Sequence, residues 1–381
     1  MNAEDLLLIS VGGAAARIVR YTVERSNVPM RALILDTDDA IFQTLTPATG
    51  LSTTLFGAKR LNGHGTGGDR SVGAGALRDD VASLQAQIGT PRLVILLTCC
   101  GGGTSGAAPQ LLDLLRSQGI TTITFATAPF SFEGDDRKRN AIALLPALES
   151  GTDAFARIPL DGLLSDEQRA LPAAETFEII AQRLSVGLSL LWTLLIHPAF
   201  VGFEAEKFLH FLQGGAAIGH SFFFADTIAS DEDRAHTALN ALIESPRFKS
   251  DGIDRLTNAA QVIVGVLAGD DLRLTELETI MTGIRARCIS AKETLLGTAF
   301  EASRNGTLAL IVLAFGSPAT DVSTNSEDAL KPIRGKRGNK DSSRTKFGTI
   351  NSRFSEVEPS VYNGQNFDEP TYQRRGIRLA R

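Results

Sequence analysis

A glycine-rich stretch at residues 98–109, TCCGGGTSGAAP, follows an apolar run and precedes a helical pattern. Glycines let backbone N–H groups approach an anion closely, and the first turn of a helix offers unpaired N–H donors at the positive end of its dipole. The stretch therefore predicts a phosphate-binding turn, with a turn that holds no ligand as the alternative. The residues of this predicted turn are Gly101, Gly102, Gly103, Thr104, Ser105 and Gly106.

Short apolar runs on both sides of this stretch indicate a parallel sheet. They lie at residues 6–11, 32–35, 92–98 and 121–127. Such runs, bounded by turns, are typical of strands buried on both faces, and the segments between them are long enough for crossover helices. Residues 107–118 predict one such helix, because four leucines share one face and Gly119 can take the left-handed position at its end. The N-terminal half is therefore predicted to be a Rossmann-like α/β domain.

The second half of the chain has a different pattern. A long helical pattern runs from Ala173 to about Ile196 and ends before Pro198, so it predicts a helix that joins two domains. Ser230 is predicted to begin a further helix whose first turn carries three carboxylates, where negative charge is favoured. Another helix is predicted over residues 275–288. Strand-like runs lie at residues 222–225, 261–267 and 308–315. These elements predict a smaller α+β domain.

The composition is that of a globular chain, with 381 residues of which 43% are apolar and 21% charged. Three cysteines, two of them adjacent at positions 99 and 100, fit neither a disulfide framework nor a zinc site, so buried thiols are expected. The longest apolar stretch, residues 184–196, is shorter than the roughly 20 residues that a membrane span needs. The N-terminus has no signal-peptide pattern. A cytoplasmic protein without a membrane span is predicted.

Positive charge is concentrated at the C-terminal end. Residues 318–381 hold 12 Lys and Arg against 8 Asp and Glu, a net charge of +4, whereas residues 1–317 have a net charge of −9. Residues 317–366 are rich in polar side chains and glycine, and their apolar residues are isolated and not periodic. Such a segment buries too little apolar surface to offset its chain entropy, so it is predicted to be a disordered linker.

Three more glycine-rich turns accompany the first. Residues 11–16, VGGAAA, follow the first apolar run, and residues 63–69 read GHGTGGD. The third turn, PFSFEG at residues 129–134, precedes a run of charged residues. In this run Arg137 could meet a phosphate and Glu133 a ribose hydroxyl, although a solvated helix start is the alternative. Together the four turns favour a nucleotide over a turn that holds no ligand.

Taken in order, these turns resemble those of FtsZ, the bacterial tubulin-like cell-division GTPase family. Residues 63–73 are similar to the family's GLGAGANPEVG loop, and PFSFEG with Arg137 is similar to PFNFEGKKR. In the second half, residues 232–246 resemble EDRA…ISSP, and residues 268–285 resemble AGFDLRLDEFET…IR. The resemblance covers residues 1–317 and the last fifteen residues.

This resemblance implies a tubulin/FtsZ-like fold with a Rossmann-type GTPase domain, a long central helix, a smaller α+β C-terminal domain and a disordered tail. The implied segments are a nucleotide-binding domain (1–173), the central helix (174–197), a C-terminal α+β domain with the catalytic loop (198–316), the linker (317–366) and a partner-binding peptide (367–381).

The resemblance also implies that the chain binds GTP or GDP with Mg²⁺, for which no side-chain ligand is assigned. Phe177 occupies the place of a family Phe that packs on guanine. The implied nucleotide-binding residues are Gly12, Gly13, Ala14, Ala15, Arg17, Asp38, Gly67, Gly68, Gly101, Gly102, Gly103, Thr104, Ser105, Gly106, Glu133, Arg137, Phe177 and Gln182.

Several of these positions depart from the family pattern. The phosphate signature GGGTSG is one residue shorter than the family's GGGTGTG, and Arg17 lies near the position of a family Asn. Gln182 stands where the family has Asp. An Asp carboxylate accepts from both N1–H and the 2-amino group of guanine, whereas Gln offers one acceptor and two donors. The sequence therefore leaves guanine selectivity open.

In the family, the loop after the central helix, NxDFAD, orients the attacking water beside the nucleotide of the next subunit, so hydrolysis requires a filament. The corresponding residues 198–207 lack the Asn but contain Glu204 and Glu206, which are predicted to be catalytic. Plain surface acids are the alternative. The favoured function is a filament-forming GTPase of bacterial cell division. The alternatives are an FtsZ-like assembly protein with weak or lost hydrolysis and, more distantly, a nicotinamide-dependent oxidoreductase, whose paired GxGxxG and acid are missing.

The last residues of the chain resemble the family's DIPxFLRR tail peptide, which binds membrane-anchoring partners. The matching residues are Asp368, Pro370, Tyr372, Arg374 and Arg375. The implied partners are further copies of the chain in head-to-tail filaments and membrane-anchoring division proteins, without nucleic acid and without a direct membrane span. The implied location is the cytoplasm at the division site, and a basic end without a partner is the alternative for the tail.

Overall fold

A computed structural model describes residues 1–196, 201, 205–214, 221–250, 253–316, 361–362 and 365–366. The chain forms two units, Met1–Ser323 and Thr324–Arg381. The described part of the second unit is a short antiparallel hairpin of strands Val361–Tyr362 and Gln365–Asn366. The rest of the predicted linker and the peptide at residues 367–381 lie outside the described residues.

Six parallel strands form the first sheet of the larger unit. They are β1 (Leu6–Val11), β2 (Ala32–Asp36), β3 (Leu51–Leu55), β4 (Leu93–Cys99), β5 (Thr121–Ala128) and β6 (Ala154–Pro159). Their order in the sheet is β3-β2-β1-β4-β5-β6. The four apolar runs of the sequence form β1, β2, β4 and β5, as predicted. The strands β3 and β6 were not predicted, because both are less apolar.

Helices cover both faces of this sheet. They are α1 (Gly13–Arg25), α2 (Asp39–Gln43), α3 (Ala58–Leu61), α4 (Arg70–Asp79), α5 (Val81–Ile88), α6 (Ala108–Ser117), α7 (Asp135–Gly151) and α8 (Asp166–Arg169). Successive side chains of β1 point to opposite faces, so Leu6 and Leu8 enter one apolar core while Leu7 and Ile9 enter another. A strand buried on both faces accounts for the uninterrupted apolar runs.

The long helix α9 (Ala173–Ile196) packs in the core between the first sheet and a second one. Its Trp192 is fully buried and donates from Nε1 to the carbonyl of Pro29 at 3.1 Å. By length and composition α9 could cross a membrane, with a mean hydropathy of 1.7 over its most apolar 18 residues. Most of that window is buried inside the protein, as in the core helix of a globular fold.

The second sheet contains four strands in the order β11-β10-β12-β7, with β10 and β11 parallel and the other pairs antiparallel. They are β7 (Phe222–Ala229), β10 (Gln261–Ala268), β11 (Glu293–Phe300) and β12 (Leu308–Phe315), and β8 (Lys249–Ser250) pairs separately with β9 (Ile253–Asp254). The helices that accompany them are α10 (Ala205–Gly214), α11 (Arg234–Ile243) and α12 (Leu274–Arg287). The core beneath α11 and α12 is separate from the one around α9.

The helix that was predicted to begin at Ser230 begins at Arg234 instead. Asp231 accepts the backbone N–H of Asp233 at its Oδ1, so the acidic residues form a turn before the helix rather than its first turn. The rest of the predicted class is confirmed: a Rossmann-like domain, a long helix and a smaller α+β domain.

Candidate functional site

A cavity of about 290 Å³ opens at the carboxyl ends of β1, β4 and β5, where ligands bind in folds of this class. Its walls come from the turns after these strands, from the first turns of α1 and from α9. Eleven of the predicted nucleotide-binding residues line it: Gly12, Gly13, Ala14, Arg17, Gly101, Gly102, Thr104, Ser105, Glu133, Arg137 and Phe177. Seven others are outside the lining: Ala15, Asp38, Gly67, Gly68, Gly103, Gly106 and Gln182.

Nine lining residues were not predicted from the sequence. They are Ile18, Cys99, Cys100, Thr127, Pro129, Leu160, Ile180, Ala181 and Leu184. Four of these lie within or beside the glycine-rich turns, and three follow Phe177 at the helical spacing of three, four and seven residues. Helical spacing from Phe177 could therefore have identified these three lining residues from the sequence. Burial raises the pKa of the Cys99 thiol to about 11, so this lining group is neutral at physiological pH.

The glycines of the phosphate turn have two different roles. A Cβ on Gly106 would overlap the backbone carbonyl of Arg70, and one on Gly103 would overlap the hydroxyl of Thr66. Both glycines therefore allow the turn to pack against the preceding loop. A Cβ on Gly102 would meet nothing within 4 Å. The space beside Gly102, here called the cradle, is therefore open. The backbone and small residues that line this cradle leave room for an oxyanion such as a phosphate.

Two hydroxyls connect this turn to the end of β2. They belong to Thr104 and Thr37, whose Oγ1 atoms lie 2.8 Å apart. Ser105 Oγ donates to the carbonyl of Gly102 at 2.6 Å, a bond within the turn itself. Asp36 lies beneath them, and its Oδ1 accepts the N–H groups of Thr37 at 2.7 Å and of Asp38 at 3.0 Å. The turn after β4 is therefore held in place by the end of β2, which lies on the other side of β1 in the sheet.

Asp36 is a buried acid that was not predicted from the sequence. Its Oδ2 is buried and has no hydrogen-bond partner among the described residues. Burial raises the pKa of this carboxyl group above its usual range, although two backbone N–H groups oppose the shift. The neighbouring Asp38 has a different task, because its Oδ1 accepts the N–H of Ala40 at 3.0 Å and caps α2.

The loop at residues 63–69 lies against the phosphate turn. Gly67 and Gly68 have φ angles of 61° and 86°, a left-handed conformation that other residues rarely adopt. Asn140 of α7 donates from Nδ2 to the carbonyl of Gly68 at 3.0 Å and to that of Gly101 at 3.1 Å. One amide therefore ties the two loops together, a role that the sequence did not reveal.

Glu133 and Arg137 lie at another wall of the cavity. Glu133 accepts the backbone N–H of Phe130 at Oε1, 2.8 Å away, and Arg137 Nη1 at Oε2, 2.9 Å away. Both oxygens of the acid are thus engaged within its own loop. Arg137 is more exposed than Glu133 and retains further N–H donors that can meet a phosphate.

The aromatic wall is formed by Phe177 with Phe130. Their ring centroids are 5.8 Å apart in an edge-to-face arrangement, and the exposed Phe132 stacks on Phe130 at 5.0 Å. Gln182, on the same helix as Phe177, donates weakly from Nε2 to Glu178 at 3.5 Å. Phe177 lines the cavity, and Gln182, which was predicted for the same site, is outside its lining.

Of the two predicted catalytic acids, the structure describes Glu206, which is not among the residues that line this cavity. Glu206 lies in the first turn of α10 with its side chain 79% exposed, and it accepts Arg92 Nη2 at 2.6 Å. Glu204 lies outside the described residues, as do all five predicted residues of the tail peptide.

Two family descriptions match most of the larger unit. The GTPase domain of the Tubulin/FtsZ family matches residues 6–166, and the C-terminal domain of the FtsZ family matches residues 224–317. Together they span more than half of the chain. The matched residues include the turns after β1, β4 and β5 that line the cavity.

The chain belongs to the tubulin/FtsZ family.

Among curated relatives of this family, the cell division protein FtsZ of Buchnera aphidicola subsp. Schizaphis graminum is 28% identical over 318 residues, which cover 83% of this chain and 80% of the relative. Among solved structures, an empty FtsZ dimer from M. jannaschii has a TM-score of 0.73 at 21% identity, covering 84% of this chain and 90% of the other. CetZ2 from Haloferax volcanii, solved as a protofilament with bound GTPγS, has a TM-score of 0.70 at 20% identity, covering 87% and 98%.

The prediction of an FtsZ-type GTPase is thereby confirmed at the level of the family. A member of this family binds a guanine nucleotide, and the open cradle at Gly102 and the small lining residues fit such a ligand. Among the described residues there is no group of three or more His, Cys, Asp or Glu that could hold a metal ion.

Proposed function

We propose that the chain is a filament-forming GTPase of bacterial cell division that hydrolyses GTP at the contact between successive subunits. One observation carries this proposal: the cavity at the strand ends, with Gly102 open toward it, is lined by eleven residues that family motifs assign to the nucleotide. The dimer and the nucleotide-bound protofilament among similar structures support assembly as the mode of action.

In this proposal the two glycine turns hold the phosphates. The backbone N–H groups near Gly12 and Gly102, together with the hydroxyl of Thr104, are donors for phosphate oxygens, and Arg137 supplies a positive charge. Phe177 offers an apolar ring to the base. Mg²⁺ would offset part of the triphosphate charge, and it commonly keeps several waters and binds through the phosphates themselves. This fits a cavity whose lining carboxylate, Glu133, is already paired.

Glu204 and Glu206 are proposed to orient water beside the nucleotide of the next subunit. For Glu206 the support is its exposure on α10, because an acid that serves a neighbouring subunit has to face outward in the single chain. Its partner Arg92 is also exposed, and an exposed ion pair contributes at most about 1 kcal/mol to stability. Filament contact can therefore displace Arg92 at little cost and leave the carboxylate free to act on water.

The experiment combines light scattering for polymer with phosphate release for turnover, on purified protein with GTP and Mg²⁺. The variants are Glu204→Ala and Glu206→Ala, and the matched control is Arg92→Ala, which breaks the same ion pair but keeps the acid. We expect polymer in all four proteins, turnover in wild type and the control, and little turnover in the acid variants. Polymer that forms without nucleotide, with no turnover in wild type, would support a nonhydrolysing assembly protein instead.

We further propose that the tail binds membrane-anchoring division proteins and so holds the filament in the cytoplasm at the division site. The support is the sequence alone: an apolar Tyr372 between acidic Asp368 and the basic pair Arg374 and Arg375. A peptide of residues 367–381 should bind such partners, and Tyr372→Ala together with Arg374→Ala should abolish binding. A chain truncated after Asn366 should keep its GTP turnover, which separates the tail's role from the site's.

A further inference from the structure

Two helix faces form an apolar slot on one side of the cavity. Ala14, Arg17 and Ile18 are spaced by three and four residues on α1, so they share one face of that helix. The second face belongs to α9 and carries Phe177 and Leu184. A flat aromatic ligand such as a nucleobase fits between walls of this kind.

Arg17 is the charged side chain of this slot. It makes no hydrogen bond and no ion pair with any part of the chain that the structure describes, whereas Arg137, which also lines the cavity, is paired with Glu133. A guanidinium has five N–H donors in a rigid plane and keeps its charge at all physiological pH values. The guanidinium of Arg17 is therefore available to donate hydrogen bonds to acceptor atoms of a bound ligand.

No carboxylate among the lining residues is free to accept hydrogen bonds from guanine. A carboxylate can accept from N1–H and the 2-amino group together, but Gln182 is outside the lining and its amide contacts Glu178. Glu133, the one carboxylate among the lining residues, already accepts two hydrogen bonds. Among the charged side chains of the lining, Arg17 therefore offers donors to the base, and no carboxylate is free to accept from it.

Building on the proposed GTPase function, we propose that Arg17 selects the base by donating to O6 and N7 of guanine. These two atoms are both acceptors in guanine, and an Arg fork matches them bidentately, whereas adenine presents a donor at the position of O6. Selection for guanine over adenine is then retained without the acid that Gln182 replaces. The 2-amino group of guanine is not read, so hypoxanthine, which lacks that group and keeps O6 and N7, binds as well as guanine.

The test measures the binding of GDP, IDP and ADP to the full-length chain by titration calorimetry, because diphosphates avoid hydrolysis. In wild type, GDP and IDP should bind within about threefold of each other, and ADP should bind about 5- to 150-fold more weakly, the range for one bidentate contact. Arg17→Ala should lower GDP and IDP binding to the level of ADP and leave ADP unchanged. Arg17→Lys, which keeps the charge but loses the fork, should behave like Arg17→Ala.

The control is Arg20→Ala, on the same helix but paired with Glu24, which should bind all three ligands like wild type. The inference is overturned if Arg17→Ala weakens all three ligands equally with Arg17→Lys restoring them, since this would mean a phosphate contact. It is also overturned if wild type binds IDP much more weakly than GDP. A wild-type chain that binds none of the three would refute the proposed GTPase function itself.

Discussion

The hydroxyls of Thr37 and Thr104 lie 2.8 Å apart and connect the end of β2 to the phosphate turn. The carboxyl group of Asp36 completes this connection from below, with Thr104 Oγ1 at 3.5 Å from Oδ1. Because Oδ2 is buried and has no partner among the described residues, the connection contains one group that is costly to ionise. The strand end that positions the phosphate turn is therefore sensitive to pH.

Asp36→Asn should increase stability at neutral pH. Burial raises the pKa of Asp36, so the folded chain holds this proton at a pH where the unfolded chain has released it. Wild type therefore loses stability as the pH rises from about 4, the pKa of the carboxyl group in the unfolded chain, up to its raised pKa in the folded chain. The loss is about 1.4 kcal/mol for each pH unit between these two values. Asn keeps the acceptor for Thr37 and avoids this loss.

The measurement is urea unfolding of both proteins between pH 3.5 and 8. The variant should be the more stable at pH 7, and the difference should shrink steadily toward pH 3.5, where the carboxyl group of wild type is mostly protonated in both states. Equal stability at every pH, or a gap that widens toward acid, would contradict the assignment of Asp36 as a buried and disfavoured carboxylate.

Alanine substitutions in the phosphate turn should separate packing from binding. Gly106→Ala places a Cβ against the carbonyl of Arg70, so it should destabilise the protein by about 1–3 kcal/mol. Gly102→Ala places its Cβ in open space and should leave stability within about 0.5 kcal/mol of wild type. It should nevertheless weaken GDP binding, because the methyl group enters the cradle. Thermal unfolding and calorimetry check the pair, and a Gly102→Ala variant with unchanged affinity would place the phosphates elsewhere.

A buried ion pair between β7 of the second sheet and the segment after α11 should be sensitive to the loss of either partner. Arg247 Nη1 lies 3.0 Å from Asp226 Oδ1, with the side chains only 13% and 10% exposed. Asp226→Ala leaves a buried, unpaired guanidinium and should cost about 3–5 kcal/mol. The double variant with Arg247→Met should recover most of that loss, because it removes both charges. Denaturant unfolding of the cycle checks this, and additive losses would show that the two side chains do not interact.

The sequence predicted the parts of this protein that depend on local pattern. Apolar runs predicted β1, β2, β4 and β5, and glycine-rich turns predicted most of the polar cavity wall. Asp36 was missed because it stands in the acidic run DTDD, which is typical of a solvated turn. Its burial arises only when α1 and the phosphate turn pack over it, a tertiary effect without a local signal.

Tertiary packing also decided which residues of α9 and α7 contribute to the nucleotide site. Gln182 was grouped with Phe177 through the family pattern, but the two side chains are five residues apart on α9 and occupy different faces. Leu184 and Ile180, by contrast, share the face of Phe177 and could have been found from helical spacing. Asn140 could not be found in this way, because its two acceptors come from loops about 40 and 70 residues earlier.

Asn140→Ala should weaken nucleotide binding with little effect on stability. The Asn140 amide holds the carbonyls of Gly68 and Gly101, and these bonds are partly exposed, so their loss should cost at most about 1.5 kcal/mol each. Binding suffers more, because the two loops are no longer fixed in the geometry that the phosphates need. Asn140→Asp should be worse than Ala, since it replaces the donor by a charged acceptor that faces two carbonyls.

Calorimetry with GDP and thermal unfolding measure the two quantities separately. Arg139→Ala is the matched control, because Arg139 is the neighbouring residue of α7 and pairs with exposed Asp136 rather than with either loop. Its affinity should equal that of wild type. If Asn140→Ala binds GDP as tightly as the control does, the two loops keep their positions without the amide, and the bridge serves folding rather than the ligand.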